Sequence, residues 1–210
     1  MKPLGELLAL INKGENIALI GHRDGDGDSF GSMYSLKYGL EQLAKKASII
    51  SEEPLPPNLA FFTKFGKVTF DNEYINHIDL LIILDTPDLA RVSSPDLVRM
   101  YQKKDVKIIL IDHHLKGDLS IYANCSYVEQ TSCSTSEIIY EIMQALKVKI
   151  DKKIATYLLT GIETDTTSFQ NQNTTSKSLK VASELVTLGA RLNLVIKNSF
   201  SNQSLSLIHI

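Results

Sequence analysis

Short continuous runs of apolar residues alternate along this chain with segments of helical periodicity, and this alternation limits the fold more than any other feature. Strands that are apolar throughout meet water on neither face, which is typical of a parallel sheet covered by helices on both sides. The predicted strands are 16–20, 47–50, 80–84, 106–111 and a small last strand at 127–128. We therefore predict an α/β fold with a doubly wound, mainly parallel five-stranded sheet, helices on both faces and a helical C-terminal half.

The helices are predicted from apolar periodicity and from capping residues. In the first half of the chain they cover 4–11, 30–46 and 94–103, with a proline-broken loop at 52–57. In the second half they cover 134–146, 152–162, 176–188 and 192–199.

The composition indicates one globular domain and excludes several classes of partner. With 210 residues, of which 43% are hydrophobic, the chain is long enough for one well-buried domain. Its formal net charge of −2 argues against binding to long duplex DNA, because nonspecific affinity for nucleic acid depends on a basic surface. Cys125 and Cys133 lack the spacing of a zinc site, and no apolar run approaches the roughly 18 to 20 residues of a membrane span. We expect a cytoplasmic protein without a membrane partner.

Acidic and imidazole side chains cluster where the predicted strands end. In such a fold the ligand crevice lies beyond the carboxyl ends of the strands. Carboxylates brought together in one crevice repel one another unless cations neutralise them, so the clusters predict bound divalent metal. The candidate residues are His22, Asp26 and Asp28 after the first strand, Asp85 after the third, Asp112, His113 and His114 after the fourth, and Asp165 in the helical half.

Two other interpretations of the first acidic loop are weaker. Asp24, Asp26 and Asp28 occupy the first, third and fifth positions of a calcium-binding EF-hand loop, but Ser29 stands where glycine is needed and Ser35 where a bidentate glutamate is needed. A flexible polar turn also uses glycine and aspartate. That interpretation requires several coincidences, because two further strand ends carry ligand-type residues.

These motifs resemble those of the DHH phosphoesterase superfamily, and within it the NrnA-type oligoribonucleases/pAp phosphatases. The resemblance rests on four motifs in order: His22-x-x-x-Asp26-x-Asp28, Asp85, Asp112-His113-His114, and Asp165 in Gly161-Ile162-x-x-Asp165-Thr166. It implies that His22, Asp26 and Asp85 hold one ion and that Asp28, Asp85, His113 and Asp165 hold the other. Mixed carboxylate and imidazole ligands suit manganese, and other divalent ions stay open.

The resemblance also implies a mechanism and a range of substrates. A hydroxide bridging the two ions attacks phosphorus, with Asp85 shared between them. His114 donates a proton to the leaving oxygen, and Asp112 orients a histidine. The expected substrates are short oligonucleotides or 3′-phosphonucleotides such as pAp. Alternatives are a cyclic di-AMP phosphodiesterase, a manganese inorganic pyrophosphatase and a catalytically silent nucleotide-binding domain; a homodimer also stays open.

Three further expectations concern the rest of the chain. Residues 1–200 are expected to form the catalytic domain, and 201–210 the start of a truncated linker helix, with the family's C-terminal substrate-binding domain absent. The segment from Ser132 to Glu137 is predicted to be a capped helix start that could alternatively receive a phosphate. Arg91 is expected to form a surface or structural pair, with contact to an anionic substrate as the alternative.

Overall fold

The protein contains one five-stranded sheet in which every pair of neighbouring strands is parallel. The computed structural model describes residues 4–51, 53–65, 77–104 and 106–199, and the predicted linker helix at 201–210 lies outside them. The strand order is β2-β1-β3-β4-β5. The strands are β1 (Asn16–Ile20), β2 (Lys46–Ile49), β3 (Leu80–Leu84), β4 (Lys107–Asp112) and β5 (Cys125–Val128). This confirms the predicted α/β fold and its parallel sheet.

Seven α-helices are found in the described residues, and four of them follow the last strand. They are α1 (Leu4–Lys13), α2 (Gly27–Gln42), α3 (Pro95–Lys103), α4 (Thr135–Ala145), α5 (Lys152–Asp165), α6 (Ser176–Thr187) and α7 (Leu192–Ser199). Short 3₁₀ turns cover Pro57–Lys64, Leu89–Arg91 and Asp118–Ile121. Among the described helices, none has both the length and the apolar character needed to cross a bilayer. The helical C-terminal half is confirmed.

Helix α2 begins earlier and ends earlier than the predicted range 30–46. It begins at Gly27 because the side chain of Asp26 accepts hydrogen bonds from the amides of Asp28 and Ser29, which caps the helix. It ends at Gln42, and Ala44 then adopts a left-handed backbone with φ of 60°. Asp28 is therefore held on the first turn of a helix instead of in a loop.

The two faces of the sheet are covered unequally. In β1, Ile17 and Leu19 point into a large apolar cluster shared with α2, α4 and α5, whereas Ala18 and Ile20 point into a smaller cluster shared with α3. All five residues of β3 are buried, as a central parallel strand requires.

The strand register brings the candidate residues to one edge of the sheet. Ile20 pairs with Ile83, and Leu84 pairs with Ile111, so β1, β3 and β4 end at the same level. The order of strands reverses between β1 and β3, because the chain leaves β1 toward β2 and returns on the other side. Such a reversal opens a crevice at the carboxyl ends of the strands.

Candidate metal site

His22 follows β1 and directs one ring nitrogen toward two carboxylates. Its Nδ1 lies 2.6 Å from the carbonyl oxygen of Arg23. Because a carbonyl oxygen only accepts, Nδ1 carries the hydrogen of this bond. Its Nε2 lies 3.5 Å from Asp85 Oδ2 and 3.7 Å from Asp26 Oδ1. Burial of the ring lowers its pKa, but the nearby carboxylates of Asp26 and Asp85 outweigh burial and raise the pKa of His22 to about 10.

Asp28 is fully buried, and the start of helix α4 solvates its carboxylate. Its Oδ2 accepts a hydrogen bond of 2.6 Å from the amide of Thr135, and its Oδ1 accepts one of 2.8 Å from the amide of Ser136. These amides have no partner within their own helix, and they carry the positive end of the helix dipole. Helix α4 therefore fixes the position of an acid on helix α2.

Asp85 lies between the two histidines that face the crevice. Its Oδ1 is 3.6 Å from Nε2 of His113 and also accepts a hydrogen bond of 3.1 Å from the hydroxyl of Thr135. Its backbone is left-handed, with φ of 61°. This conformation is costly for a residue other than glycine and persists only where the surroundings enforce it.

His113 is partly buried and directs its buried Nε2 toward acids from two helices. This atom lies 3.2 Å from Asp165 Oδ2, at the end of α5, and 4.0 Å from Asp28 Oδ2. It forms no hydrogen bond of acceptable geometry with the described residues. A buried polar atom without such a bond is costly, so its direction toward three carboxylates fits a metal ligand.

His114 packs beside His113, with ring centroids 4.2 Å apart, and is held by Asp112. Oδ1 of Asp112 lies 2.8 Å from Nδ1 of His114 and accepts hydrogen bonds from the amides of both histidines. The hydrogen bond to Asp112 raises the pKa of His114, whereas partial burial and the nearby Arg91 oppose this shift. His114 is more exposed than His113, at 38% against 13% of the side chain. The adjacent histidines thus occupy different environments.

The electrostatics of the crevice favour bound cations. Burial, followed by repulsion from Asp28, raises the pKa of Asp85 well above its usual value. Burial and repulsion from neighbouring aspartates raise the pKa of Asp165 to about 10, and burial raises the pKa of Asp28. Divalent ions would stabilise the charged carboxylates.

The structure brings together all six residues that were predicted to bind metal. The ligand atoms of His22, Asp26 and Asp85 lie within 4.8 Å of one another, as do those of Asp28, His113 and Asp165. A third group of this kind links Asp85 to Asp112, His113 and His114. The candidate ligand atoms are carboxylate oxygens and imidazole nitrogens. The two cysteines are buried free thiols that belong to none of these groups. The residues present therefore fit a pair of hard or borderline divalent ions.

Sequence reasoning missed the contribution of Thr135 and Ser136. The predicted cap is present, because the Ser134 side chain accepts a hydrogen bond from the amide of Glu137. The alternative of a free phosphate at this helix start is not supported, since the carboxylate of Asp28 occupies the amides. No local sequence signal connects Asp28 with residues more than a hundred positions later.

A family model and several curated relatives match most of this chain. The model of a family described as "DHH family, N-terminal domain" matches residues 16–162. The chain is 31% identical over 172 residues to the bifunctional oligoribonuclease and PAP phosphatase NrnA of Thermus thermophilus, covering 81% of this chain and 49% of the relative. It is 30% identical over 217 residues to NrnA of Bacillus subtilis, covering 96% and 66%.

A solved structure supports the fold independently. The crystal structure of an exopolyphosphatase-related protein from Bacteroides fragilis superposes with a TM-score of 0.85 at 21% identity, covering 98% of this chain and 62% of that one. The chain spans about half to two thirds of the length of the proteins it resembles.

Proposed function

The chain belongs to the DHH family, and from this premise we propose that it is a two-metal phosphoesterase acting on short oligonucleotides or on 3′-phosphorylated nucleotides such as pAp. The observation that carries the proposal is the convergence of four carboxylates on two histidine nitrogens. Asp28, Asp85 and Asp165 approach Nε2 of His113, which is buried and makes no hydrogen bond with the described residues. Asp26 and Asp85 approach Nε2 of His22. The choice of nucleotide substrates is supported by the names of the NrnA relatives.

In this proposal one ion is held by His22, Asp26 and Asp85, and the other by Asp28, Asp85, His113 and Asp165. Carboxylate and imidazole ligands without thiolate favour manganese, although magnesium and cobalt accept similar ligands. A pair of divalent ions lowers the pKa of water and neutralises charge on phosphoryl oxygens.

The side chains beside these ligands supply orientation and a proton. His114 is partly exposed at the mouth of the crevice, where it can donate a proton to a leaving alkoxide. The carboxylate of Asp112 fixes the ring, and the associated rise in pKa keeps His114 protonated to higher pH. Asp112 is therefore a positioning residue in this proposal, and His114 is the catalytic acid.

The experiment is an assay of a defined substrate panel with and without Mn²⁺. The panel contains pAp, di- and trinucleotides, cyclic di-AMP and pyrophosphate, and product is followed by chromatography and phosphate release. We expect manganese-dependent cleavage of pAp or of the short oligonucleotides, and loss of that activity in Asp85→Asn. Asp96→Asn, on the exposed surface of α3, is the matched control.

Two results would contradict the proposal. Cleavage of cyclic di-AMP or pyrophosphate alone would replace the substrate class but keep the metal chemistry. Binding of nucleotides with no metal-dependent release of any product would instead favour a catalytically silent nucleotide-binding domain.

A further inference from the structure

A cleft of about 420 Å³ opens beside His22, next to the candidate metal site. One wall is the loop after β1, and the other is the 3₁₀ turn Leu89–Arg91 after β3. The lining residues are His22, Arg23, Asp24, Asp26, Ala90 and Arg91. The cleft therefore joins two arginines to two residues of the candidate metal site.

Backbone hydrogen bonds fix the two arginines beside His22. His22 and Val92 form an isolated antiparallel bridge, and the amide of Arg23 donates a hydrogen bond of 2.7 Å to the carbonyl of Arg91. The amide of Ser93 donates to the carbonyl of Gly21 at 2.9 Å. These backbone contacts fix both walls of the cleft, and none of them involves the guanidinium group of Arg91.

The guanidinium of Arg91 is exposed and has no ion pair or hydrogen bond within 4–51, 53–65, 77–104 and 106–199. Within the part of the chain that the structure describes, the guanidinium of Arg23 donates one hydrogen bond, from Nε to the carbonyl oxygen of Val92 at 3.3 Å. In contrast, the exposed Arg99 pairs with Asp96 at 2.9 Å. The expected structural pair of Arg91 is therefore not found among the described residues.

We propose that Arg91, assisted by Arg23, binds a second phosphate of the substrate and so selects nucleotides that carry a phosphate besides the one being cleaved. This inference rests on the proposed function, in which the cleaved phosphate lies at the candidate metal site. The planar guanidinium group matches phosphate oxygens in two parallel hydrogen bonds. The net charge of the chain is negative, so a local cation pair is the means by which this cleft attracts an additional anion.

The test compares two substrates that differ by one phosphate. Steady-state rates with Mn²⁺ are measured for adenosine 3′,5′-bisphosphate and adenosine 3′-monophosphate, using wild type, Arg91→Gln, Arg91→Lys and the control Arg99→Gln. We expect wild type to prefer the bisphosphate, and Arg91→Gln to reduce that preference about tenfold, mainly through KM. Arg91→Lys should retain part of the preference, since it keeps the charge.

Binding and stability measurements make every outcome informative. Calorimetric titration of the bisphosphate should show weaker binding to Arg91→Gln than to wild type, at an unchanged melting temperature. If the wild type shows no turnover but Arg91→Gln still binds the bisphosphate more weakly, the proposed function is rejected while the phosphate-binding role of Arg91 stands. An equal preference in wild type and Arg91→Gln, or no preference in wild type, would overturn the inference.

Discussion

At the scale of single residues, Asp85 carries a high electrostatic cost in the crevice. It is buried, has a left-handed backbone and lies within 3.6 Å of both facing histidines. Burial and repulsion from Asp28 raise its pKa well above the usual value. A buried, strained and repelled carboxylate of this kind destabilises the metal-free fold. Replacing Asp85 should therefore affect the stability of the fold and the binding of metal in opposite directions.

Asp85→Asn should lose metal binding while stabilising the metal-free protein. Asparagine keeps the shape and an oxygen acceptor for Thr135, but it removes one charge from the repelling group. We expect Mn²⁺ affinity to fall at least about tenfold, and the free energy of unfolding without metal to rise by about 1 kcal/mol. Calorimetry and urea denaturation in a chelator measure the two effects. If Asp85→Asn were less stable than wild type without metal, the proposed repulsion among the crevice carboxylates would be contradicted.

Asp112→Asn should change the role of His114 more than it changes metal binding. Because the hydrogen bond to Asp112 raises the pKa of His114, its loss lowers that pKa. A general acid acts when protonated, so activity falls as pH rises through its pKa. We expect a rate about ten to a hundred times lower, with the alkaline decline of the pH–rate profile moved to lower pH. An unmoved alkaline decline would exclude His114 as the acid.

At the scale of elements, helices α2, α4 and α5 pack closely and hold Asp28 and Asp165 in place. A Cβ on Gly31 of α2 would lie 2.6 Å from the carbonyl oxygen of Tyr157 in α5. One on Gly161 of α5 would lie 2.0 Å from Ser136 Oγ and 2.5 Å from Asp28 Oδ1. Because glycine has no Cβ at these two positions, α2, α4 and α5 can pack against one another and around the carboxylate of Asp28.

Gly31→Ala should therefore force α2 and α5 apart. The clash is with backbone, which cannot rotate away, so we expect a loss of roughly 1 to 3 kcal/mol in the free energy of unfolding. Gly5→Ala is the matched control in α1, because nothing lies within 4 Å of its added Cβ, and it should stabilise by up to about 1 kcal/mol. Urea denaturation measures both. Equal effects at the two positions would contradict the packing argument.

The elements that sequence predicts well are those whose signal is local. The strands β1 and β3 have their predicted ranges, because uninterrupted apolar runs mark strands buried on both faces. The start of α2 was wrong by three residues, since Gly27 and Asp28 resemble a turn until the cap from Asp26 is seen. The hydrogen bonds from α4 to Asp28 are tertiary, so no short-range pattern indicates them. The grouping of the six candidate ligands could be predicted because each lies close to the end of a strand or helix and the resemblance supplied their order. That they bind metal stays a prediction.

At the scale of the whole molecule, the metal-free crevice links stability to pH. The pKa of Asp165 rises from 3.8 to about 10 on folding, and that of His22 rises from 6.5 to about 10. A group with a raised pKa binds its proton more tightly in the folded state, so its contribution is complete below the unfolded pKa and is lost as pH rises through the folded pKa. The lowered pKa values of Asp26 and His113 act in the opposite direction.

The melting temperature of the metal-free protein should therefore fall between about pH 6 and pH 9, by several degrees, because the raised groups outweigh the lowered ones. Divalent ions replace the lost protons, so saturating Mn²⁺ should raise the melting temperature more at the higher pH and flatten this dependence. Thermal unfolding in chelator and in Mn²⁺ measures both effects. Asp165→Asn removes the carboxylate whose pKa is raised to about 10, so it should reduce the slope in chelator, whereas Asp96→Asn should leave the slope unchanged. A melting temperature that rises with pH in chelator would show that the crevice carboxylates are already neutralised without metal.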